Sequence, residues 1–366
     1  MRIGIITYHR AFNCGALLQA WALGEFLSSH GYKVEFPDCN TVGLGRVWPR
    51  FMRPTLIGKM RNLIGWVLEQ CRYLGTWPIT VRRFSSFIDN NINHVKCDIA
   101  ELSRYDLLVV GSDQVWNARI SGNDSPLFLG ENVERRVPMI GYGLSGGDEA
   151  MDNDSISRLR QAANRFSATG FREAYFKDIV ACGGDVVCDP TFLLDSFRYD
   201  DIATKQHLVK GDYLFVYCVS DADEILPTAK NLAKRLGVRL IVSDVYRGGL
   251  FRFGYPFCNA FAMSPDRFLA YLRDARYVVV SSFHGCALSA IMRKNFLCLY
   301  SPSVRKGGRQ HELMKRLGLQ ERRLPADASV DEMMLCIKKP CNAEGAIARE
   351  RECSARWLLN SIKGIR

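Results

Sequence analysis

One repeated unit constrains this chain more than any other feature. A short apolar run leads into a small polar loop, and the loop leads into an amphipathic helix. Its first copy is Ile3–Thr7, the loop YHRAFNCG at 8–15, and a helical stretch at 16–31 that is apolar at Leu17, Leu18, Trp21, Leu23 and Phe26 and is stopped by Gly31. VEFPDC at 34–39 reads as the next strand. Further strands are expected at 105–112, 137–142 and 167–173, with a helix at 155–166 and a turn closing the series at 186–195. A second series starts at YLFVYCV, 213–219. It continues through helix 224–236, strand 239–244, helix 265–275, strand 277–282, helix 283–294 and strand 296–301, and ends in helices near 309–317 and 344–362. Strands alternating with helices make parallel sheets. With 366 residues, the expectation is two consecutive Rossmann-like, doubly wound α/β domains facing a cleft, the first over 1–195 and the second over 196–343.

Composition narrows the function classes. Lys and Arg total 49 against 38 Asp and Glu, a net charge of +11, which favours anionic partners. Part of the excess is concentrated at 43–84, where Arg46, Arg50, Arg53, Lys59, Arg61, Arg72, Arg82 and Arg83 stand against Glu69 alone, with Trp48, Trp66 and Trp77 among them. That stretch reads either as a solvated helical insertion in the first domain or as a surface for anionic lipid head groups. No nucleic-acid-binding motif accompanies the charge, so no nucleic acid is expected as partner. The 13 cysteines are odd in number and form no CxxC pair, as expected of small buried hydrophobes in a reducing cytosol. The sequence shows neither a signal-peptide layout nor an apolar run long enough to span a bilayer. The expectation is a soluble cytoplasmic protein, with peripheral contact to the inner face of the plasma membrane if the basic stretch binds lipid. No His, Asp or Glu cluster has metal-ligand spacing, so neither metal nor cofactor is expected.

In open parallel sheets ligands bind beyond the carboxyl ends of strands, which makes four loops candidates. In FNCGALLQA, Asn13 and Gly15 open a helix where backbone amides can approach an anion or a sugar, or where an ordinary turn suffices. In GSDQVWN, Asp113, Gln114, Trp116 and Asn117 combine a carboxylate, amides and an indole, the groups a sugar site uses. Asp113 could instead cap the next helix. GYGLSG at 141–146 satisfies GxGxxG, but it sits mid-chain behind Pro138 and is not read as a dinucleotide site. VVVSSFHGC at 278–286 delivers Ser282, His284 and Gly285 to a helix start, where His284 is placed to give or take a proton beside an anion. The other five histidines have no comparable setting.

With IGIITYHRAFNCGALLQAWAL (3–23), DLLVVGSDQVWN (106–117), DPTFLLD (189–195), SPDRFLAYLRDARYVVVSSFHGCALSAI (264–291) and GGRQHELMKRLGL (307–319), the chain resembles the polysaccharide pyruvyl transferase family. The resemblance implies a fold like type-B glycosyltransferases, with a C-terminal helix, 344–366, crossing back to the first domain. It implies phosphoenolpyruvate as donor and, as acceptor, two hydroxyls of a sugar in a surface polysaccharide or its lipid-diphosphate-linked precursor. His284 would then be the general acid, and Asp113 would accept the hydroxyl proton or hold the acceptor. Arg172, at the family's arginine–glutamate strand end, would bind the donor's carboxylate or phosphate, unless it pairs structurally with Glu173. Lys306 and Arg309 would be further anion ligands. Where some members carry arginine–leucine–histidine, this chain has Ser282, Phe283 and His284. The alternatives are a glycosyltransferase of the same fold using a nucleotide sugar and a non-catalytic, membrane-associated component of polysaccharide assembly.

Overall fold

The computed structural model describes residues 1–39, 63–122, 125–134, 136–148, 151–219, 222–243, 260, 262–302 and 308–365. Lys306 and residues 43–62 of the basic stretch, with Arg46, Arg50, Arg53, Lys59 and Arg61, lie outside them. The chain forms two compact units. The first comprises Met1–Arg46, Phe87–Asp195 and Gly345–Arg366, and the second comprises Val47–Ser86 and Ser196–Glu344.

The first unit is built on seven parallel strands: β1 (Arg2–Ile6), β2 (Lys33–Asp38), β3 (His94–Lys96), β4 (Leu107–Val110), β5 (Met139–Leu144), β6 (Ala168–Phe171) and β7 (Asp185–Val186). Their order is β3-β2-β1-β4-β5-β6-β7. The register sets Ile3 beside Leu107 and Ile6 beside Val110, so the two central strands bury their apolar runs completely on both faces. Helix α1 (Cys14–Ser29) starts at Asn13, whose side chain accepts from the Gly15 and Ala16 amides, and the chain turns out of it at Gly31 with φ +84°. GYGLSG falls largely within β5, where Gly141 and Gly143 are strand residues; a strand cannot cradle a pyrophosphate as a turn does.

The second unit holds β8 (Tyr213–Tyr217), β9 (Arg239–Val242), β10 (Tyr277–Val280), β11 (Phe296–Tyr300) and β12 (Arg323–Pro325), ordered β12-β11-β10-β8-β9. All pairings are parallel. Between and around the strands run α2 (Pro265–Asp274), α3 (Phe283–Ile291) and α4 (Arg309–Leu317). α4 ends at Gly318, left-handed at φ +69°. The long helix Leu63–Asn91 carries the described part of the basic stretch, and up to Ser86 it groups with the second unit, not the first as its sequence position suggests. Arg83 explains this: its Nη1 donates to the Ala262 carbonyl at 2.8 Å. Among the described residues no helix is long and apolar enough to cross a membrane.

The last helix, α5 (Glu344–Lys363), packs on the first unit. Ser354 Oγ accepts from the Cys188 amide at 2.8 Å, Arg351 donates to the carbonyls of Phe192 and Leu194, and Trp357 Nε1 donates to Asp185. Its own Leu358 and Ile362 are buried.

Leu108 lies at the centre of the first sheet, fully buried, with Cδ2 so close to Gly4 that a Cβ there would sit 2.8 Å away. Leu108→Ala is expected to destabilise the first unit by about 2–5 kcal/mol, read from the denaturant midpoint. A cost below about 1 kcal/mol would mean that the surrounding core collapses into the space.

Candidate functional site

In each unit the strand order reverses once, and the loops flanking that reversal are where a parallel sheet leaves polar backbone open. In the first unit the reversal falls between β1 and β4, so the loops are 7–13 and 111–117. Four hydrogen bonds stitch them together. Thr7 Oγ1 donates to the Ser112 carbonyl at 3.2 Å, Tyr8 Oη to the Gln114 carbonyl at 3.0 Å, Gln19 Nε2 to Thr7 Oγ1 at 2.9 Å, and the Ser112 amide to Gln19 Oε1 at 3.3 Å. Gln19 is fully buried on α1, so the helix itself fixes how the loops meet.

Asp113 stands at this junction with φ +71°. A non-glycine residue held in the left-handed region costs on the order of 1–3 kcal/mol and persists only where its surroundings impose it. The surroundings are specific. The Gln114 amide donates to Asp113 Oδ1 at 2.9 Å, and Arg172 Nη1 lies 3.7 Å from the same oxygen. At the preceding Gly111, with φ +116°, a Cβ would meet the Tyr142 carbonyl oxygen at 2.3 Å, which leaves no room for any other residue.

Arg172 does not present itself to a ligand as the resemblance implies. It is 2% exposed, its Nε donates to Glu173 at 2.7 Å and its Nη1 to Asp189 at 3.0 Å. Burial opposes the charge, but Glu173, Asp189 and Asp113 together more than offset it and raise the guanidinium pKa further above its ordinary value. The structural pairing with Glu173 is therefore the geometry found. Asp189 ties the cluster down through Thr191, whose amide and hydroxyl both donate to its Oδ1. Ser112 Oγ lies 3.3 Å from the other Asp189 oxygen and 3.0 Å from the Gly143 carbonyl.

Trp116 is a core residue instead of a platform for a sugar. It is 2% exposed, its indole donates to the Phe128 carbonyl, and its ring packs edge-on against Phe166, Phe171 and Phe176. Asn117 is buried as the cap of a short turn of helix, and its side chain also reaches Gln114 Oε1 at 3.2 Å. Asn13 is exposed and caps α1, with Gly15 buried in its first turn. The structure thus brings Asp113, Gln114 and Asn117 together on one loop and places Asn13 and Gly15 at the start of α1, whose Gln19 is tied to that loop.

The second unit reverses between β10 and β8. Ser281 Oγ accepts from the Val219 amide at 3.3 Å, which joins the loops after these strands. α3 then begins at its cap Ser282, whose Oγ accepts from the Gly285 amide at 3.1 Å. His284 sits half-buried in the first turn, with the Phe283 ring edge-on at 5.3 Å. Beside it, α4 starts at Gly308, which offers no capping side chain, and Gln310 Nε2 reaches the Ser281 carbonyl at 3.2 Å. Two helix N-termini are thereby held next to one another, with half-buried Arg309 opening the second.

Sequence reasoning missed Gln19, Asp189 and Gln310. The only local signals are a glutamine inside an apolar helix and an Asp-Pro start. His9 was passed over as well. Its Nδ1–H donates to the Thr7 carbonyl at 3.0 Å, which fixes the tautomer and leaves Nε2 enclosed without a hydrogen-bond partner among the described residues. Burial pushes this imidazole down to about 4, against 6.5 in an exposed ring. As pH falls, the unfolded chain binds the proton first, so stability holds above about pH 6.5 and declines towards pH 4 by up to about 1.4 kcal/mol per unit. Denaturant titrations at pH 7 and pH 5 are expected to show this decline, and to show less of it in His9→Gln. An equal decline in both proteins would assign the linkage to other groups.

Over the whole chain the architecture is similar to that of a solved epimerase and two solved glycosyltransferases. A UDP-GlcNAc 2-epimerase from Methanocaldococcus jannaschii superposes with a TM-score of 0.56 at 9% identity, covering 99% of each chain. A glycosyltransferase from Rickettsia africae gives 0.54 at 10%, covering 100% of this chain and 98% of its own. AviGT4, a glycosyltransferase involved in avilamycin A biosynthesis, gives 0.51 at 11%, again covering 100% and 98%. At such identities the likeness establishes the fold, that of type-B glycosyltransferases, with two Rossmann-like domains. No curated protein matches the chain by sequence. The model of one family spans residues 13–303, from the cap of α1 past β11 and so across loop 111–117 and the start of α3, and by that match the chain belongs to the polysaccharide pyruvyl transferase family.

Proposed function

We propose that the protein transfers the pyruvyl group of phosphoenolpyruvate to two hydroxyls of one sugar, forming a cyclic pyruvate ketal and releasing phosphate. The observation that carries this reading is His284 in the first turn of α3, next to the uncapped start of α4 and Arg309. Helix N-termini with a cation suit a small, multiply charged anion, and the histidine beside them supplies a proton. In the reaction, a proton goes to the methylene carbon of the enol ether, and a sugar oxygen attacks the resulting oxocarbenium carbon. The second hydroxyl then displaces phosphate, so one hydroxyl proton is carried to the new methyl group and the other leaves with phosphate.

We assign the protonation to His284 in its imidazolium form, and phosphate binding to Ser282, Gly285, Arg309 and Lys306. Asp113 accepts the hydroxyl proton or orients the acceptor, with Gln114, Asn117, Asn13 and Gly15 available to the sugar. Arg172, ion-paired with Glu173 and Asp189, acts on this reading by holding Asp113 in its left-handed conformation. The acceptor is a surface polysaccharide unit or its lipid-diphosphate-linked precursor, handled on the cytoplasmic side of the membrane.

Phosphate release from phosphoenolpyruvate, measured against nucleotide-linked and lipid-linked sugars, tests the proposal. Acceptor-dependent release is expected, and His284→Asn is expected to lower kcat by about 10²–10⁴-fold. Calorimetric binding of a nucleotide sugar with no binding of phosphoenolpyruvate would overturn it in favour of a glycosyltransferase. Asp113→Asn separates that residue's two roles. A fall in kcat with the acceptor KM unchanged marks the proton acceptor, whereas a raised KM alone marks the orienting group.

A further inference from the structure

The C-terminal ends of β2 and β3 bring two thiols together. Asp38 and Lys96 are the last register partners of the two strands, so Cys39 and Cys97 are the next residues along each. The Cys97 amide still reaches the Asp38 carbonyl, at 3.4 Å, which keeps the two chains side by side at that step. Neighbouring strands run roughly 4.8 Å apart, within the roughly 4.4–6.8 Å between Cα atoms that a disulfide spans. The sulfurs are 3.4 Å apart and point at one another. Closing them to a bond asks for side-chain rotation, with no need for the backbone to travel. We propose that Cys39 and Cys97 are a modification site that forms a reversible intramolecular disulfide.

The oxidant is a small peroxide. One thiol attacks an oxygen of hydrogen peroxide and becomes a sulfenic acid, with release of water. The second sulfur then attacks the first, forming the sulfur–sulfur bond and releasing a second water. Two thiols lose two hydrogens and one peroxide is reduced to two waters. The setting makes the pair slow to react and open only to a small oxidant. Both side chains are about 95% buried, and burial raises both thiols above their ordinary range, although the Arg104 guanidinium faces them and opposes the nearby Asp38 and Glu101 carboxylates. Bulky reagents are excluded from the folded protein. β3 is three residues long and lies at the edge of the sheet, so its brief opening admits a small oxidant. A second thiol neighbourhood, Cys286 with Cys298, is sealed in the core of the second unit, at 0% and 1% exposure, and serves as an internal comparison.

The disulfide closes a loop of more than fifty residues, from the end of β2 to the end of β3. Cross-linking a loop of that size raises Tm by about 5–10 °C. Asp38, the residue before Cys39, is the ion-pair partner of Arg10 in the loop that leads to α1. Oxidation thus fixes the strand end from which residues 40–62 depart.

The test uses the full chain with Cys353→Ser, which removes an exposed thiol, treated with hydrogen peroxide, alkylated under denaturing conditions and digested with trypsin without reductant. The expected product is the peptide Val34–Arg46 joined to Cys97–Arg104, lighter than their sum by two hydrogens and split by dithiothreitol. The oxidised protein is expected to melt higher, and Cys97→Ser is expected to lose both the linked peptide and the rise in Tm. The proposal is overturned if Cys39 and Cys97 are both recovered alkylated after Cys182 or Cys336, which are partly exposed, has been oxidised. It is equally overturned if either sulfur is found joined to a different cysteine. The linked peptide from the Cys353→Ser protein decides the matter even if Cys97→Ser fails to fold.

Discussion

The hydrogen-bonded pairing of β1 with β4 is the interaction on which the first unit depends. The partners are about a hundred residues apart in sequence, and the register Ile3–Leu107 to Ile6–Val110 places their carboxyl ends side by side. Because side chains alternate between faces with a period of two, a slip of one residue would exchange the two buried faces and misfit every side chain packed there. The same pairing brings loop 7–13 against loop 111–117, so the register that builds the core also sets the position of Asp113. In the second unit β8 and β10 play this part, with Tyr277 opposite Leu214 and Val280 opposite Tyr217. There too the ends of the paired strands carry the loops that matter, and the Val219 amide bonded to Ser281 Oγ joins them.

The cluster around Arg172 shows what kind of work a buried charge does here. Three carboxylates face one guanidinium, and desolvating such a group costs about as much as its ion pairs return. Its contribution is therefore to geometry more than to stability. It joins the end of β6 to the turn at Asp189 and faces the loop after β4, which Ser112 Oγ ties to the same Asp189 carboxylate.

The central strands could be read from the sequence because a strand buried on both faces leaves an unbroken apolar signature, as LLVV and YVVV do. α4 was expected at 309–317 and is found there, since Gly308 and Gly318 punctuate a clean amphipathic pattern. The edge strands β3 and β12 escaped, because three residues such as HVK carry no periodicity and owe their conformation to a neighbouring strand. The sequence misplaces Trp116 and leaves Arg172 open between a donor ligand and an ion pair with Glu173, for a shared reason. Both stand one step from polar loop residues, and sequence proximity cannot tell a side chain that follows the loop outward from one that turns back into the core. Distinguishing them needed Phe166, Phe171, Phe176 and Asp189, all distant in sequence. The cap residues Asn13 and Ser282 were legible in position, since a small polar residue before an apolar helix marks its start, yet a cap alone does not disclose a ligand.

The closing helix has a consequence for the order in which the molecule is made. Ser354 on α5 bonds to the Cys188 amide across 166 positions of chain, and Leu358 and Ile362 complete a core whose strands are translated much earlier. The second unit has all its segments by Glu344, having drawn on residues 47–86 already synthesised, whereas the first still lacks its final helix. During synthesis the earlier half must wait with part of its apolar surface uncovered, and the later half is the one able to finish first. The incomplete first half is the state in which a nascent chain of this kind would need shelter from aggregation.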